Sequence, residues 1–346
     1  MFDKNNISVI SKTIANLRFP LMLGVVLIHC VIIEPEIAST QGLNVVAFII
    51  ELVSHQITTP CVPLFFFISG YLFFLKFGDK FNVSDYGIQL KKRVRTLLIP
   101  YLFWNLVVIG SFAFLHKCLP SLINPAFNNV YQFSLLELCR SFWDFPGGQP
   151  ICYQFWFLRD LLEAVILSPI IFLLVKYGRF YLMVVLIAFY IYNPALYPHQ
   201  MMLTFFTLGA GFAVHRYDFV QMSRKIIYCA VPLFVLLILL ASIDPMWSCR
   251  GGTTVTGAIL YVWLASKVSI QNNKIGECGF FVYAFHGLPI LVLSKMLVAI
   301  LHPSTTIMWL VCYVLCFMII VILSIVIYYV MKKFLPKFTA VITGGR

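Results

Sequence analysis

An all-α bundle of membrane-spanning helices is the fold this sequence predicts, on three observations. Composition comes first: 61% of the 346 residues are apolar, only 11% are charged, and the mean hydropathy is +0.93. A soluble globular domain is nearer half apolar and a quarter charged. Second, the apolar residues gather into ten runs, at 17–34, 62–77, 96–115, 155–175, 180–194, 201–216, 226–243, 252–268, 278–300 and 306–334. Most approach the roughly 20 residues that a helix needs to cross a bilayer. Third, most of the 25 Lys and Arg residues fall at the ends and loops that a ten-crossing topology places in the cytoplasm, which is the positive-inside pattern. The net charge of +12 therefore reports topology and gives no reason to expect a nucleic-acid partner.

In chain order, Lys4 and Lys12 hold the start of the chain inside, so the first run exits. It lacks a small-residue cleavage site and is expected to be retained rather than removed as a signal peptide. Because Lys91, Lys92, Arg93 and Arg95 must also lie inside, only one return crossing fits before them. The stretch 43–57, with Glu51, Ser54, His55 and Gln56, is then a re-entrant or outer-surface helix, broken from the next run by Thr58-Thr59-Pro60. In the second crossing, Ser69 and Gly70 allow close helix approach. Ten crossings with both termini cytoplasmic follow, and Lys332, Lys333, Lys337 and Arg346 agree.

The longest polar insertion, 116–154, lies outside and includes a short helix over Ser134–Phe142. The chain reads as one domain, 1–346, with no internal repeat. Among the ten cysteines, Cys312 and Cys316 read as apolar filler, whereas Cys118, Cys139, Cys152 and Cys249 fall in outward segments where an oxidising compartment would allow pairing. No Cys-x-x-Cys pair or histidine ligand set is visible, so no metal is expected.

The residues that bear chemistry begin with Arg18 and His29 in the first run. Ionisable groups within a membrane span are costly and mark interior or water-lined faces. Eleven helical residues rise about 16 Å and turn about 1100°, about 20° from three full turns, so both side chains share one face. Lys92, Arg93 and Arg95 form a cationic cluster suited to donor phosphates, or to anionic lipid. Trp156, Arg159, Asp160 and Glu163 enter the membrane at the outer mouth as candidates for acceptor binding, although Arg159 and Glu163 at i, i+4 also suit a simple ion pair. Tyr283 and His286 complete the set, with His286 about 12 Å deep at 1.5 Å per residue.

In this order, Arg18 through His29, Phe65-Phe66-x-x-Ser69-Gly70, the basic cluster before Pro100-Tyr101-x-x-Trp104, Trp156-Phe157-Leu158, Phe206-x-x-Gly209 and Tyr283-x-x-His286 resemble membrane acyltransferase family 3 over nearly the whole chain. The resemblance implies a ten-helix membrane domain moving acyl groups, commonly acetyl from cytoplasmic acetyl-CoA, onto surface glycans or related acceptors such as lipid-linked saccharides. It maps the family's Arg-x10-His onto Arg18 and His29, and its Arg-x-x-Arg onto Lys92 and Arg95. Lys92 thus replaces an Arg and keeps charge without the bidentate fork, and Gly279 stands where the family has a Ser.

The expected roles follow from these residues. Arg18, Lys92, Arg93 and Arg95 hold an acyl-CoA, and His29 acts as a general base or carries the acyl group covalently. His286 and Tyr283 orient that base or stabilise the oxyanion. The expected location is a bacterial plasma (inner) membrane, among its lipids. The alternative from another class is a transporter or glycan exporter with a membrane-embedded Arg/His pathway.

Overall fold

The computed structural model describes residues 4–78, 80–118, 130–144, 148–193, 198–243, 248–268 and 274–345. The architecture is all-α. The first helix, α1 (Lys4–His29), carries Arg18 and His29 as expected. Its Asn16 Nδ2 donates to the carbonyls of Ala265 and Val268 at 3.0 and 2.7 Å, tying α1 to a helix late in the chain.

After α2 (Pro35–Thr40), the helix α3 (Asn44–Ile50) runs through a π-helical stretch, Glu51–Ile57, into α4 (Cys61–Phe74). Together they form one 31-residue helical span, Asn44–Phe74, about 46 Å long at 1.5 Å per residue. The break expected at Thr58-Thr59-Pro60 is present as a three-residue turn, yet it does not divide the span, for a local reason. Pro60 has no N–H for the Gln56 carbonyl, but Thr59 Oγ1 donates to that carbonyl at 2.9 Å, and Thr58 Oγ1 donates to Ser54 O at 2.6 Å. Hydroxyls of this kind satisfy backbone groups freed by a membrane proline.

Asn82 caps α5 (Val83–Arg93) by accepting from Ser84 N at 2.9 Å. A second π-helical turn, Val94–Leu98, leads into α6 (Ile99–Cys118). The short outer helix is present as α7 (Leu135–Ser141), with a Ser134–Glu137 capping box. Segments 119–129 and 145–147 of the same insertion lie outside the described residues.

Next come α8 (Trp156–Ile166) and α9 (Ser168–Tyr192). At φ 46° and ψ −136°, Arg179 kinks α9 into arms 168–178 and 180–192, which match the separation expected between the fourth and fifth runs. The rest of the bundle is α10 (Pro198–Val214), α11 (Phe219–Ile243), α12 (Ser248–Lys267), α13 (Lys274–Glu277), α14 (Gly279–Phe285), α15 (Gly287–Leu301), α16 (Thr306–Phe334) and α17 (Pro336–Ile342).

Six described helical spans are long and apolar enough to cross a membrane, and α14 with α15, bent by 61°, makes a seventh. The ten predicted crossings exceed this number because α8 and α10 have only 11 and 17 residues, and α12 opens on polar residues around Arg250, Thr253 and Thr254. Span 44–74 is central, with 67% of its most apolar window buried, whereas α9 and α11 bury 22% and turn the remainder outward. Apolar faces on that scale mark an integral membrane protein.

The tightest crossing lies between α4 and α10. A Cβ on Gly70 would stand 2.1 Å from Phe206 O, and one on Gly209 would stand 2.0 Å from Phe67 O. Backbone-to-backbone approach of this kind needs residues without side chains. Cys118, Cys139 and Cys152 are free thiols, and Cys312 and Cys316 are buried filler.

Candidate active site

A cavity of about 1080 Å³ runs through the bundle. Its long axis follows from α1 and α4: Gly24 packs on Cys61 and Thr58, so His29 lies towards Ser54 and His55, while Arg18 lies towards the opposite end of α4, where Lys76 follows. The cationic end is lined by Arg18, Lys76, Lys92 and Arg93, and the far end by His55, Tyr190, Arg250 and Thr254.

At the cationic end, Arg18, Lys76, Lys92 and Arg93 form no salt bridge with a carboxylate among the described residues. The guanidinium of Arg93 stacks over Phe73 at 5.8 Å. Arg93 Nε and Thr96 Oγ1, both on the cavity wall, are buried without a hydrogen-bond partner. Lys76 sits beyond the end of α4 and is held below the ordinary lysine range, first by lost hydration and then by the charges of Lys92 and Arg93. The electrostatics therefore favour a polyanion.

Arg95 does not line the cavity and is exposed. Lys92 and Arg95 straddle the start of the π-helical turn Val94–Leu98, whose wider i→i+5 winding sets the two residues on different faces. Lys76 was not legible as a partner, since it stands alone in the sequence and reaches the cluster only through the fold. Gly344 and Gly345 were missed as well. They line the same mouth at φ +72° and +74°, and a Cβ on Gly344 would meet Thr96 O at 2.3 Å.

Towards the His55 end of the cavity, the His29 ring lies 5.4 Å from the His286 ring, nearly parallel at 26°, and meets Tyr153 edge-on at 5.0 Å. His286 sits at the bend between α14 and α15 and is fully buried. Its Nδ1 donates to Val282 O at 3.2 Å, while Nε2 has no partner. A carbonyl only accepts, so the proton of the neutral ring is on Nδ1. The two histidines deduced from separate helices are thus brought into contact.

Tyr283 lines the cavity, and its hydroxyl is committed, donating to Gln154 O at 2.7 Å. Gln154 Nε2 in turn donates to Ala284 O at 3.1 Å, and Phe155 stacks on Tyr283 at 5.4 Å. Gly287 is required beside this staple, because a Cβ there would come within 2.4 Å of the Gln154 amide.

Of the four residues expected at the acceptor, Trp156 lines the cavity, whereas Arg159, Asp160 and Glu163 point elsewhere on α8. Arg159 binds its neighbour Asp160 rather than Glu163, donating from Nε and Nη2 to Oδ1 at 3.0 and 2.9 Å. Glu163 instead approaches His199 on α10.

Comparison with known proteins agrees with this architecture. A family model described as an acyltransferase domain matches residues 12–338. The chain is also similar to the succinoglycan biosynthesis protein ExoH of Rhizobium meliloti (strain 1021), with 26% identity over 314 residues, covering 83% of this chain and 80% of the relative. No solved structure matches.

Proposed function

The chain belongs to membrane acyltransferase family 3 and is an integral-membrane O-acyltransferase, and from that premise we propose that it transfers an acyl group, acetyl first among candidates, from a cytoplasmic acyl-CoA to a hydroxyl of a cell-surface glycan or lipid-linked saccharide. The observation that carries this reading is a shared cavity: His29 lines the same space as Arg18, Lys76, Lys92 and Arg93, whose charges have no carboxylate partner among the described residues. A saccharide acceptor is favoured by the relative named for succinoglycan biosynthesis. The cationic mouth faces the cytoplasm of a bacterial inner membrane, with both termini on that side, in keeping with the positive-inside rule.

In this mechanism the phosphates of the donor bind the cationic mouth through charge-assisted hydrogen bonds. The Arg18-to-His29 rise of about 16 Å gives the thioester arm its path along α1. Neutral His29 accepts the proton of the acceptor hydroxyl as that oxygen bonds to the thioester carbon. Collapse of the tetrahedral adduct breaks the C–S bond, and the imidazolium returns its proton to the departing sulfur. In the covalent variant His29 first takes the acyl group from sulfur and then yields it to the acceptor oxygen. His286 is a positioning residue that fixes the His29 ring by stacking, and Tyr283 anchors the Gln154 turn beside it. Trp156 belongs to the acceptor wall.

The test uses the purified chain in lipid nanodiscs with radiolabelled acetyl-CoA and a glycan extract of the producing cell. Label should move to glycan with the wild type and fall by about 10²–10⁴-fold with His29→Ala, the range for loss of a general base. Equal transfer by both proteins would remove His29 from the chemistry. Thioester consumption only with another acyl-CoA would replace acetyl as the group transferred.

A further inference from the structure

Away from the cavity, Asp160 and Glu163 on α8 meet His199 in the first turn of α10. The i, i+3 spacing puts both carboxylates on one face of α8, and the imidazole comes from a helix remote in sequence. One ligand atom from each residue lies within 4.8 Å of the other two. His199 Nδ1 is 3.0 Å from Glu163 Oε2 and 3.5 Å from Asp160 Oδ1. A tetrahedral ion with bonds of about 2.0–2.1 Å sets its ligand atoms roughly 3.3–3.4 Å apart; the two separations from His199 are close to that spacing, and the carboxylate oxygens stand within 4.8 Å of each other.

A second observation points the same way. Asp160 is fully buried, yet Oδ2 has no hydrogen-bond partner, because Arg159 takes only Oδ1. His199 Nδ1 is also buried without a hydrogen bond, although the ring is 45% exposed and a carboxylate oxygen stands 3.0 Å away. A pair brought this close by hydrogen bonding would be aligned for it. An imidazole nitrogen at 3.0 Å from a carboxylate oxygen with no hydrogen bond between them is an arrangement that a shared cation accounts for.

We propose that Asp160, Glu163 and His199 form a binding site for a divalent cation of the zinc class, joining α8 to α10. One imidazole nitrogen and two carboxylate oxygens are a zinc-type donor set, with a fourth position open towards solvent at the His199 side. Arg159 is the outer partner that fixes Asp160, as groups behind metal-bound carboxylates do. The same helix α8 carries Trp156, Phe157, Leu158 and Leu161 on the cavity wall, so the cation stiffens that wall without touching the reacting atoms.

The test uses untagged full-length protein in nanodiscs, stripped with chelator and titrated with ZnCl₂. Bound zinc is measured by mass spectrometry after gel filtration, and the melting temperature is read in parallel. Wild type should retain roughly one equivalent and melt higher with zinc. Glu163→Gln and His199→Ala, both at partly exposed positions, should fold and lose at least about tenfold in zinc affinity together with the melting shift. No zinc uptake by the wild type, or equal uptake by the wild type and both variants, would overturn the site.

Discussion

Arg159 and Arg93 lie in the same membrane domain, yet their guanidinium groups are treated in opposite ways. Arg159 is 4% exposed and each of its three nitrogens has an acceptor: Nε and Nη2 bind Asp160 Oδ1, and Nη1 donates to Trp143 O and Gly148 O at 2.9 and 2.8 Å. Arg93 rests on Phe73, its Nε is buried and unpartnered, and it faces the cavity. A buried cation with a complete set of acceptors holds the fold together. One whose acceptors are missing is arranged for something that arrives later.

Removing the filled arginine tests the first half of that contrast and should have the largest effect. Arg159→Ala strands Asp160 at zero exposure and frees two loop carbonyls, a loss of about 3–5 kcal/mol. The folded fraction on gel filtration should collapse with the melting temperature. Arg159→Lys should recover only part of it, because an ammonium lacks the fork that meets three acceptors. A stable Arg159→Ala protein with a raised donor KM would exchange the roles assigned to the two arginines.

Arg93→Ala is the reciprocal test. Charge-assisted hydrogen bonds contribute about 1.5–3 kcal/mol, so the acyl-CoA KM should rise by roughly 10- to 150-fold while the melting temperature stays within a degree or two of wild type. An equal loss of stability would mean that Arg93 is as structural as Arg159.

The contrast was half legible in the sequence, and the reason is geometric. Arg18 and His29 share one helix, so counting residues put them on one face, and α1 keeps them there. The short helix expected over Ser134–Phe142 is present as α7, whose Ser134–Glu137 capping box is a local signal that spacing can carry. The continuity of span 44–74 was hidden because Thr58-Thr59-Pro60 reads as a division until the hydroxyl bonds that bridge the turn are seen. Arg159 looked like a partner for Glu163 at i, i+4, but its acceptors lie on Asp160 and in the preceding loop. Lys76, Gln154, His199 and the Gly344–Gly345 pair reach their places only through tertiary packing, which no spacing encodes.

Lys76 should give a smaller effect than Arg93, since it is exposed and one of several charges at the mouth. Lys76→Ala should raise the acyl-CoA KM about threefold, the scale of an exposed ion pair. The pH dependence has a definite sign. Partial loss of hydration and then the charges of Lys92 and Arg93 lower the pKa of Lys76, so it loses its proton at a lower pH than an ordinary lysine. Donor affinity should therefore weaken as pH rises through that lowered value, and Lys76→Arg should remove that step while keeping the charge. A wild-type pH profile that Lys76→Arg leaves unchanged would detach Lys76 from the donor.

Arg95 gives the smallest expected change and the sharpest control. The family resemblance paired it with Lys92 as one half of a phosphate clamp, but the π-helical turn leaves it exposed and off the cavity wall. If partner geometry rather than net positive charge governs donor binding, Arg95→Ala should alter the acyl-CoA KM by less than about twofold, the reach of one solvent-screened charge. Lys92→Ala, at the cavity, should raise it several-fold. The two variants remove the same formal charge from the same segment, so overall electrostatics cancel in the comparison. Equal effects would show that the cluster acts as a diffuse field, and Arg93 would then lose its claim to a distinct place in the donor site.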